Sequence, residues 1–342
     1  MRSCFARPAQ IFAFTTILAT YGFASPLGSK LLPLVPAGSQ IVVGFDNRHD
    51  ATSSGRFILA TENNRLDLDD WVSLTGVDST RIFDEVIEVA ASSSRGEIRE
   101  HLLLVAGHFD QKRIFHSAEL NGATISEYGG EKTLIFKPFA REQGRMLDER
   151  WLIILNDRTG LLGTAPMVQE ALHRYATHAS TDPILSERLA EIRPDVTSWN
   201  VLVSTPMVVK HVAFVQSGAW SRMLEDAELL TVGARFGSKV RVDFAVYAKK
   251  DRKAADFPQK AECFYDVFTE PASLDAGLSS HPRLEHLSIE ASRVLGSIDL
   301  TRQEFNHWVS SASLHQIAQK VVEPAPAATT GVEVAENNRC NH

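Results

Sequence analysis

The chain has 342 residues, and its 35 Lys and Arg residues against 42 Asp and Glu residues give a formal net charge of −7 at pH 7. Nucleic acid and anionic membranes are excluded as expected partners, because an acidic chain gains nothing from counterion release and is not attracted to negative surfaces. The hydrophobic content of 44% is ordinary for a globular protein, and the length suggests about two domains.

The N-terminal segment has the three parts of an export signal. Arg2 and Arg7 give it a positive start, an uncharged apolar run follows at residues 11–23, and small residues precede a cut after Ala24. The apolar run is shorter than the roughly 20 residues that span a bilayer. The sequence therefore predicts a signal peptide at residues 1–24, an exported protein of the periplasm or the extracellular space, and no stable transmembrane span after cleavage. Retention of the segment as a membrane anchor is the alternative.

Cleavage removes two basic residues and Cys4, which leaves a net charge of −9 and two cysteines. Cys263 and Cys340 can form a disulfide in an oxidising compartment, but the sequence does not decide whether they pair. Cys340 lies in the segment 316–342, whose few large apolar residues predict a disordered tail.

The first part of the chain predicts alternating strands and helices. After a proline-rich spacer at 25–38, apolar runs bounded by turn residues predict strands, and apolar periodicity with a glycine stop predicts helices. The expected elements are a strand at 41–45, a short apolar run at 57–61, a helix from about 67 to 76, a hairpin of strands 84–90 and 100–109, a helix at 111–120, strands at 132–139, 151–155 and 161–164, and a helix that starts at Pro166.

The second part of the chain repeats this order. A connecting segment at 180–197 leads to a strand at 199–203 and a helical segment at 207–224. Three pairs of segments then match, with the same expected element in each pair: 85–90 with 228–233, 101–110 with 242–251, and 161–176 with 294–309. The alternative is that amphipathic hairpins and helices resemble one another by chance.

These observations predict an α+β fold of two tandem related copies, with mainly antiparallel sheets and helices packed on one face. The first copy is expected at 39–179 and the second at 198–315. Because consecutive strands are joined by tight turns, a doubly wound nucleotide-binding sheet is not expected.

Four stretches of the chain have a distinctive pattern: LLPLVPAGSQIVVGFDN, DDWVSLTGVD, EHLLLVAGHFD and WLIILNDRTGLLGT. In these stretches the chain resembles a group of uncharacterised exported bacterial proteins that carry a domain of unknown function built from repeated strand-helix-strand units. The resemblance covers about residues 31–315. It implies a periplasmic or cell-surface protein without assigned activity, and it transfers no functional residue.

The common signatures of nucleotide, metal and nucleophile sites do not occur in the sequence, among them G-x-G-x-x-G, H-E-x-x-H, C-x-x-C and G-x-S-x-G. No cofactor, metal site or catalytic residue is therefore assigned, although a site assembled from distant residues stays open. The best candidate for ligand binding is the loop after the first strand, with Asp46, His49 and Asp50. A carboxylate at a strand end near an imidazole can hold a ligand or position a general base. The alternative is a solvated loop whose Asp residues cap turns.

Two further groups of residues have a functional and a structural interpretation. Basic residues cluster between Lys239 and Lys253. The structural interpretation, which is favoured, is a solvated strand end, and the functional one is a binding patch for a small anion or a polysaccharide. Trp71, Trp151, Trp199 and Trp308 lie on the faces of expected elements, which favours a place in the core over a sugar-stacking platform, whereas Trp220 lies near Gly218 in an interruption of the helical pattern and can be more exposed.

The sequence does not identify a function, and three hypotheses remain. The first is an exported, non-catalytic binding or cell-envelope-associated protein whose partner is an envelope protein or a small-molecule ligand. The second is an exported hydrolase with a dispersed site near the Asp46–His49 loop, and the third is a structural interaction protein of the envelope. The first predicts that no pocket joins Asp46 or His49 to other titratable groups, whereas the second requires such a pocket. The absence of the common catalytic motifs favours the first hypothesis, but it does not decide whether the protein is an enzyme.

Overall fold

The computed structural model describes residues 26–46, 68–77, 82–93, 98–140, 146–203, 226–249, 283–290 and 292–305. The expected signal peptide, the apolar run at 57–61, the helical segment at 207–224 and the tail lie outside the described residues. Cys263 and Cys340 lie outside them as well.

Strands dominate the described residues. They are β1 Ile41–Asp46, β2 Phe83–Ser92, β3 Ile98–Gly107, β4 Thr124–Tyr128, β5 Glu131–Phe136, β6 Phe139–Ala140, β7 Met146–Leu147, β8 Arg150–Ile154, β9 Thr159–Gly163, β10 Ser198–Val203, β11 Ala227–Phe236, β12 Lys239–Ala248, β13 Arg283–Glu290 and β14 Arg293–Thr301. The helices are α1 Leu68–Thr75, α2 Gln111–Leu120, α3 Ala165–Ala176 and α4 Pro183–Ala190, with short 3-10 turns at Pro26–Gly28 and Leu32–Leu34.

Local sequence explains where the helices begin. The side chain of Asp110 accepts a hydrogen bond from the backbone N–H of Arg113 at 3.1 Å and caps α2. Asp182 caps α4 in the same way, with the N–H of Ile184 at 2.9 Å. Pro166 lies in the first turn of α3, where its missing N–H loses no helical hydrogen bond. The helices expected near 67–76, at 111–120 and from 166 are confirmed to within two residues.

Twelve of the strands form one continuous antiparallel sheet. Its order is β13-β14-β12-β11-β10-β1-β2-β3-β9-β8-β5-β4, and β6 pairs separately with β7. At its centre β1 pairs with β10, which places Ile41 opposite Leu202 and Phe45 opposite Ser198. The predicted α+β fold of two tandem copies with helices on one face is therefore wrong. The strands of both segments share a single sheet, and the described part of the molecule is mainly β.

Helices cover both faces of this sheet. The front face, on the side of Phe45, packs against α1 and α2 in a core that includes Trp71. The back face, on the side of Val42, packs against α3 and α4 in a core that includes Leu189. The physical reason lies in strands such as β3, whose buried apolar residues 102–105 are consecutive and therefore point to both faces.

The segment expected as a proline-rich spacer packs into the core of the back face. Leu31 and Leu32 are each 1% exposed. Arg174 of α3 donates from Nε to the carbonyl oxygen of Pro33 at 2.8 Å, which fixes the segment to the helix. Residues 28–31 thereby become one wall of a cleft at the end of the sheet.

The strand order is the same on the two sides of the β1–β10 pair. From β1 outward the sheet runs β2, β3, β9, β8, and from β10 outward it runs β11, β12, β14, β13. The matched segments 85–90 and 228–233 lie in β2 and β11. In the match of 161–176 with 294–309 the helix begins later in the second segment, because Ala165 starts α3 whereas its counterpart Ile298 lies within β14, and the described helical residues there are 302–305. The sequence similarity thus reflects equivalent strand positions within one sheet.

Candidate functional site

A cleft of about 510 Å³ lies at the back face, at the end of the sheet where β1 terminates. Its charged lining comes from four parts of the chain that are distant in sequence. Lys30 belongs to the N-terminal segment, Asp46 ends β1, Asp84 and Glu85 lie at the start of β2, and Arg158 precedes β9. The size is within the roughly 300–1,000 Å³ typical of small-molecule sites.

The register of the sheet brings Asp46 and Glu85 together. They are Cα partners in the β1–β2 ladder, and the row continues through Ala106 of β3 to Thr159 of β9. Direct cross-strand partners on one face have Cβ atoms about 4.5–5.5 Å apart. A β-bulge between Phe83 and Glu85 makes Asp84 an extra residue, and bulges re-aim side chains at strand ends. The carboxylates of Asp46, Asp84 and Glu85 consequently all line the cleft.

Backbone hydrogen bonds fix the strand ends around the cleft. The N–H of Asp46 donates to the carbonyl oxygen of Thr197 at 2.9 Å, and the N–H of Gly107 donates to the carbonyl oxygen of Arg158 at 2.9 Å. The side-chain Oδ1 of Asn156 accepts from the N–H of Arg158 at 2.8 Å, which forms an Asx turn. The backbone that carries the side chains of Asp46 and Arg158 is therefore held in place by hydrogen bonds.

Arg158 contacts a histidine beside the cleft. Its Nη1 lies 3.0 Å from Nε2 of His108. Because a guanidinium can only donate, Nε2 of His108 is the acceptor in this contact. Arg158 itself is exposed and keeps further N–H donors on the same guanidinium.

A tryptophan forms the apolar side of the cleft. Trp199 of β10 is opposite Gly44 in the β1–β10 ladder and is 4% exposed. A Cβ on Gly44 would lie 2.2 Å from two carbons of its indole, so the ring occupies the space of the missing side chain. The cleft thus combines an aromatic wall with three carboxylates and two basic groups.

This arrangement can bind both signs of charge. Three carboxylates can accept charge-assisted hydrogen bonds from an ammonium or guanidinium group, and Arg158 can donate a bidentate pair to a carboxylate or phosphate. Among the described residues, no group of three or more His, Cys, Asp or Glu side chains is arranged to hold a metal ion.

No family model, curated protein or solved structure matches this chain. The resemblance to exported bacterial proteins accordingly stays a prediction. Across the described ranges, no helix is both long and apolar enough to span a membrane.

Of the candidate site residues, Asp46 lies in the cleft, whereas His49 and Asp50 lie outside the described residues. The sequence analysis missed Glu85 and Arg158. The available signal was the polar residue at the start of the strand EVIEVA and the NDRTG turn, but only the folded sheet places Glu85 opposite Asp46 and Arg158 in the same cleft. In the basic stretch, Arg241 donates from Nε to Oδ1 of Asp243 at 3.1 Å and is engaged locally.

Proposed function

We propose that the protein is an exported binding protein whose ligand occupies the cleft beside Asp46. The observation that carries the proposal is the convergence of Asp46, Glu85 and Arg158 from three separate parts of the chain on one cleft of about 510 Å³. The pattern of residues 1–24 supports export, and the resemblance to exported bacterial proteins agrees with it.

The charges of the lining indicate the class of ligand. A cationic group on the ligand meets the acidic side formed by Asp46, Asp84 and Glu85, and an anionic group meets Arg158 and Lys30. A small zwitterion, such as an amino acid or a short peptide, satisfies both sides with charge-assisted hydrogen bonds. Singly charged ligands satisfy only one side and bind more weakly.

Calorimetric titration with amino acids, simple amines and simple carboxylates tests this proposal. We expect the zwitterions to bind most tightly. Asp46→Asn and Glu85→Gln should each weaken that binding about tenfold or more, because a hydrogen bond to a charged group contributes about 1.5–3 kcal/mol. Arg158→Met should lower the affinity for ligands that carry a carboxylate and leave simple amines unaffected.

The matched control is Glu119→Gln, which neutralises an exposed carboxylate on α2, on the front face of the sheet. It should bind like the wild type, and all variants should keep the wild-type melting temperature within a few degrees. Equal affinity of the wild type, Asp46→Asn and Glu85→Gln for every bound compound would remove the cleft as the ligand site.

A hydrolase is the second candidate, and the Asp46–Glu85 pair is the observation that favours it. A pocket that joins Asp46 to other titratable groups is what the hydrolase hypothesis requires, and the prediction of no such pocket, which followed from a non-catalytic protein, is wrong. Two neighbouring carboxyl groups can act as general acid and general base when their environments separate their protonation states. Turnover of generic esters, peptides or glycosides that is lost in Asp46→Asn and Glu85→Gln, and kept in Glu119→Gln, would establish this alternative.

A further inference from the structure

An exposed aromatic pair lies near the β4 edge of the sheet. Tyr128, the last residue of β4, and Trp151 of β8 have ring centroids 5.4 Å apart at an interplanar angle of 66°. Tyr128 is 39% exposed and Trp151 is partly exposed, whereas Trp71 and Trp199 are buried at 0% and 4%. Of the four tryptophans expected in the core, Trp71 and Trp199 are confirmed there, Trp151 is not buried, and Trp308 lies outside the described residues.

The turn after β4 holds Tyr128 in place. Gly129 and Gly130 both have positive φ, at 61° and 86°, which permits the tight reversal into β5. A Cβ on Gly129 would lie 3.0 Å from Cδ2 of Leu172, so this turn is packed against α3. The aromatic pair therefore stands on a supported hairpin, and β4 is the edge strand of the described sheet.

Polar groups adjoin the aromatic pair. Nε1 of Trp151 donates to Oε1 of Glu149 at 2.9 Å. Glu149 in turn lines a second cleft, of about 330 Å³, together with Asp148, Arg99 and Glu100. Oγ1 of Thr164 donates to Oε2 of Glu100 at 2.6 Å, and the side chains of Asp148 and Glu149 are exposed.

This second cleft is separate from the one beside Asp46. It adjoins Glu100 and Thr164, at the start of β3 and just after β9, whereas the first cleft adjoins Ala106 and Thr159 at the opposite ends of the same strands. The two clefts have no lining residue in common. Their ligands can therefore differ.

We infer that the Tyr128–Trp151 pair and the cleft beside Glu149 form a binding site for a sugar ring. The C–H faces of a pyranose carry partial positive charge and stack on the electron-rich face of an aromatic ring. Sugar hydroxyls donate hydrogen bonds to carboxylate oxygens, and these acceptors are supplied by Glu149, which contacts Trp151, and by Asp148 in the same cleft as Glu149. The arrangement thus matches both the apolar and the polar side of a sugar.

The charge of the second cleft selects among sugars. Its lining has three carboxylates, those of Glu100, Asp148 and Glu149, against the single guanidinium of Arg99. A neutral sugar or an amino sugar is compatible with this excess of negative charge, whereas a uronic acid is repelled. The inferred ligand is a chain of neutral or amino sugars.

Affinity electrophoresis in gels that contain a neutral glucan, chitosan oligomers or polygalacturonate tests the inference. We expect the neutral glucan to retard the full chain and polygalacturonate to leave its mobility unchanged, whereas retardation by chitosan counts only where Trp151→Ala weakens it, because a polycation retards any acidic protein. Trp151→Ala and Tyr128→Ala should weaken the retardation about tenfold or more, as truncation of a central aromatic contact does. Glu149→Gln should weaken it as well, without removing an aromatic ring.

Two controls keep the interpretation clear. Leu120→Ala removes a side chain that is 74% exposed on α2 and should be retarded like the wild type. Glu85→Gln, in the other cleft, should also be retarded normally, so failure of this inference is distinguishable from failure of the proposed function. If Trp151→Ala does not fold, Tyr128→Ala and Glu149→Gln decide the matter. Unchanged mobility of the wild type in all three gels, or retardation by polygalacturonate alone, overturns the inference.

Discussion

Gly44 and Trp199 show how one residue without a side chain shapes the candidate site. Both lie on the back face, and the indole of Trp199 fills the volume that any side chain on Gly44 would need. The same indole is part of the buried core of that face. The cleft beside Asp46 is therefore held rigid by the packed centre of the sheet at Gly44, two residues earlier in β1.

The substitution Gly44→Ala should destabilise the protein by about 1–3 kcal/mol, the usual cost of forcing an extra methyl group into a packed core. The reason is that the new Cβ would lie 2.2 Å from two carbons of an indole that is 4% exposed and packed in the core of the back face. Urea unfolding followed by tryptophan fluorescence measures the change.

Gly237→Ala is the matched control, because its Cβ would meet only the carbonyl oxygen of Lys239 at 3.5 Å, an ordinary contact. A loss of stability in Gly237→Ala as large as that in Gly44→Ala would contradict the packing explanation.

At the scale of single residues, the sequence predicted one residue of the cleft, Asp46, but not its neighbour Glu85. Asp46 was found because it follows a short apolar strand, a position where a polar side chain reaches the sheet edge. Glu85 could not be found in the same way, since its importance depends on its being the Cα partner of Asp46. Cross-strand register is a long-range property, and a single sequence carries no direct signal for it.

At the scale of elements, the connecting segment 180–197 packs against the sheet through specific side-chain contacts. It contains α4, whose Arg188 places its guanidinium 4.4 Å from the ring centre of Tyr247 in β12. Further along, Asp195 accepts two hydrogen bonds from Arg193, at 3.0 and 3.1 Å, and one from Nη1 of Arg235 at 2.6 Å. The segment is thus tied to β11 and β12 by aromatic and ionic contacts.

Asp195 should make stability depend on pH. The hydrogen bond from Arg193, helped by the charges of Arg193 and Arg235, lowers the pKa of Asp195 below its ordinary value of 3.8. A carboxyl group with a lowered folded-state pKa contributes stability that is fully present above the ordinary pKa. That stability is lost as the pH falls below 3.8 and through the lower pKa of the folded protein.

The variant Asp195→Asn should therefore be less stable than the wild type at pH 7 by about 0.5–1 kcal/mol, the size expected for a partly exposed ion pair. The difference should shrink as the pH is lowered below 3.8 and should also shrink in high salt. Urea midpoints at pH 7 and pH 3 measure it, with Glu119→Gln as the control carboxylate. A difference that is larger at pH 3 than at pH 7 would show that the sign is wrong.

Elements with a strong periodic pattern were predictable, and those without one were not. Helix α2 was predicted with its bounds at 111–120 because apolar residues recur on one side and Asn121-Gly122 ends the pattern. Strand β4 was missed because all five of its residues are exposed, so its sequence TISEY has no buried face to create an alternation. Its strand conformation comes from pairing with β5 across the two-glycine turn.

At the scale of the whole molecule, the β1–β10 pair decides the architecture. The sequence similarity between segments indicated which strands are equivalent, but it contained no information on whether Val42, which pairs with Val89 of its own half, also pairs with Val201 of the other. The pairing with Val201 merges the two halves into one sheet. The prediction that helices pack on one face only was wrong for a related reason. Consecutive apolar residues in β3 point to both faces of the sheet, so both faces need to be covered.

A continuous sheet should unfold as one cooperative unit. Leu104→Ala in β3 and Leu230→Ala in β11 remove side chains that are 0% and 1% exposed, on either side of the β1–β10 pair. Each should cost about 2–5 kcal/mol and lower a single unfolding transition for the whole molecule. Far-UV circular dichroism and tryptophan fluorescence should give coincident urea curves for both variants.

The surface substitution Leu120→Ala provides the comparison and should leave the midpoint unchanged, because this side chain is 74% exposed. Two separate transitions, with only one of them shifted by each core substitution, would show that the halves fold independently.

The burial of Leu31 and Leu32 has a consequence for the order of events during synthesis. The carbonyl oxygen of Pro33 is held by Arg174, which is 141 residues further along the chain. At roughly 5–20 residues per second, the first apolar residues of the folded body wait about 7–28 s before their binding surface has been made. Leu31 and Leu32 therefore remain without their packing partners on the unfinished chain until α3 and α4 have been made.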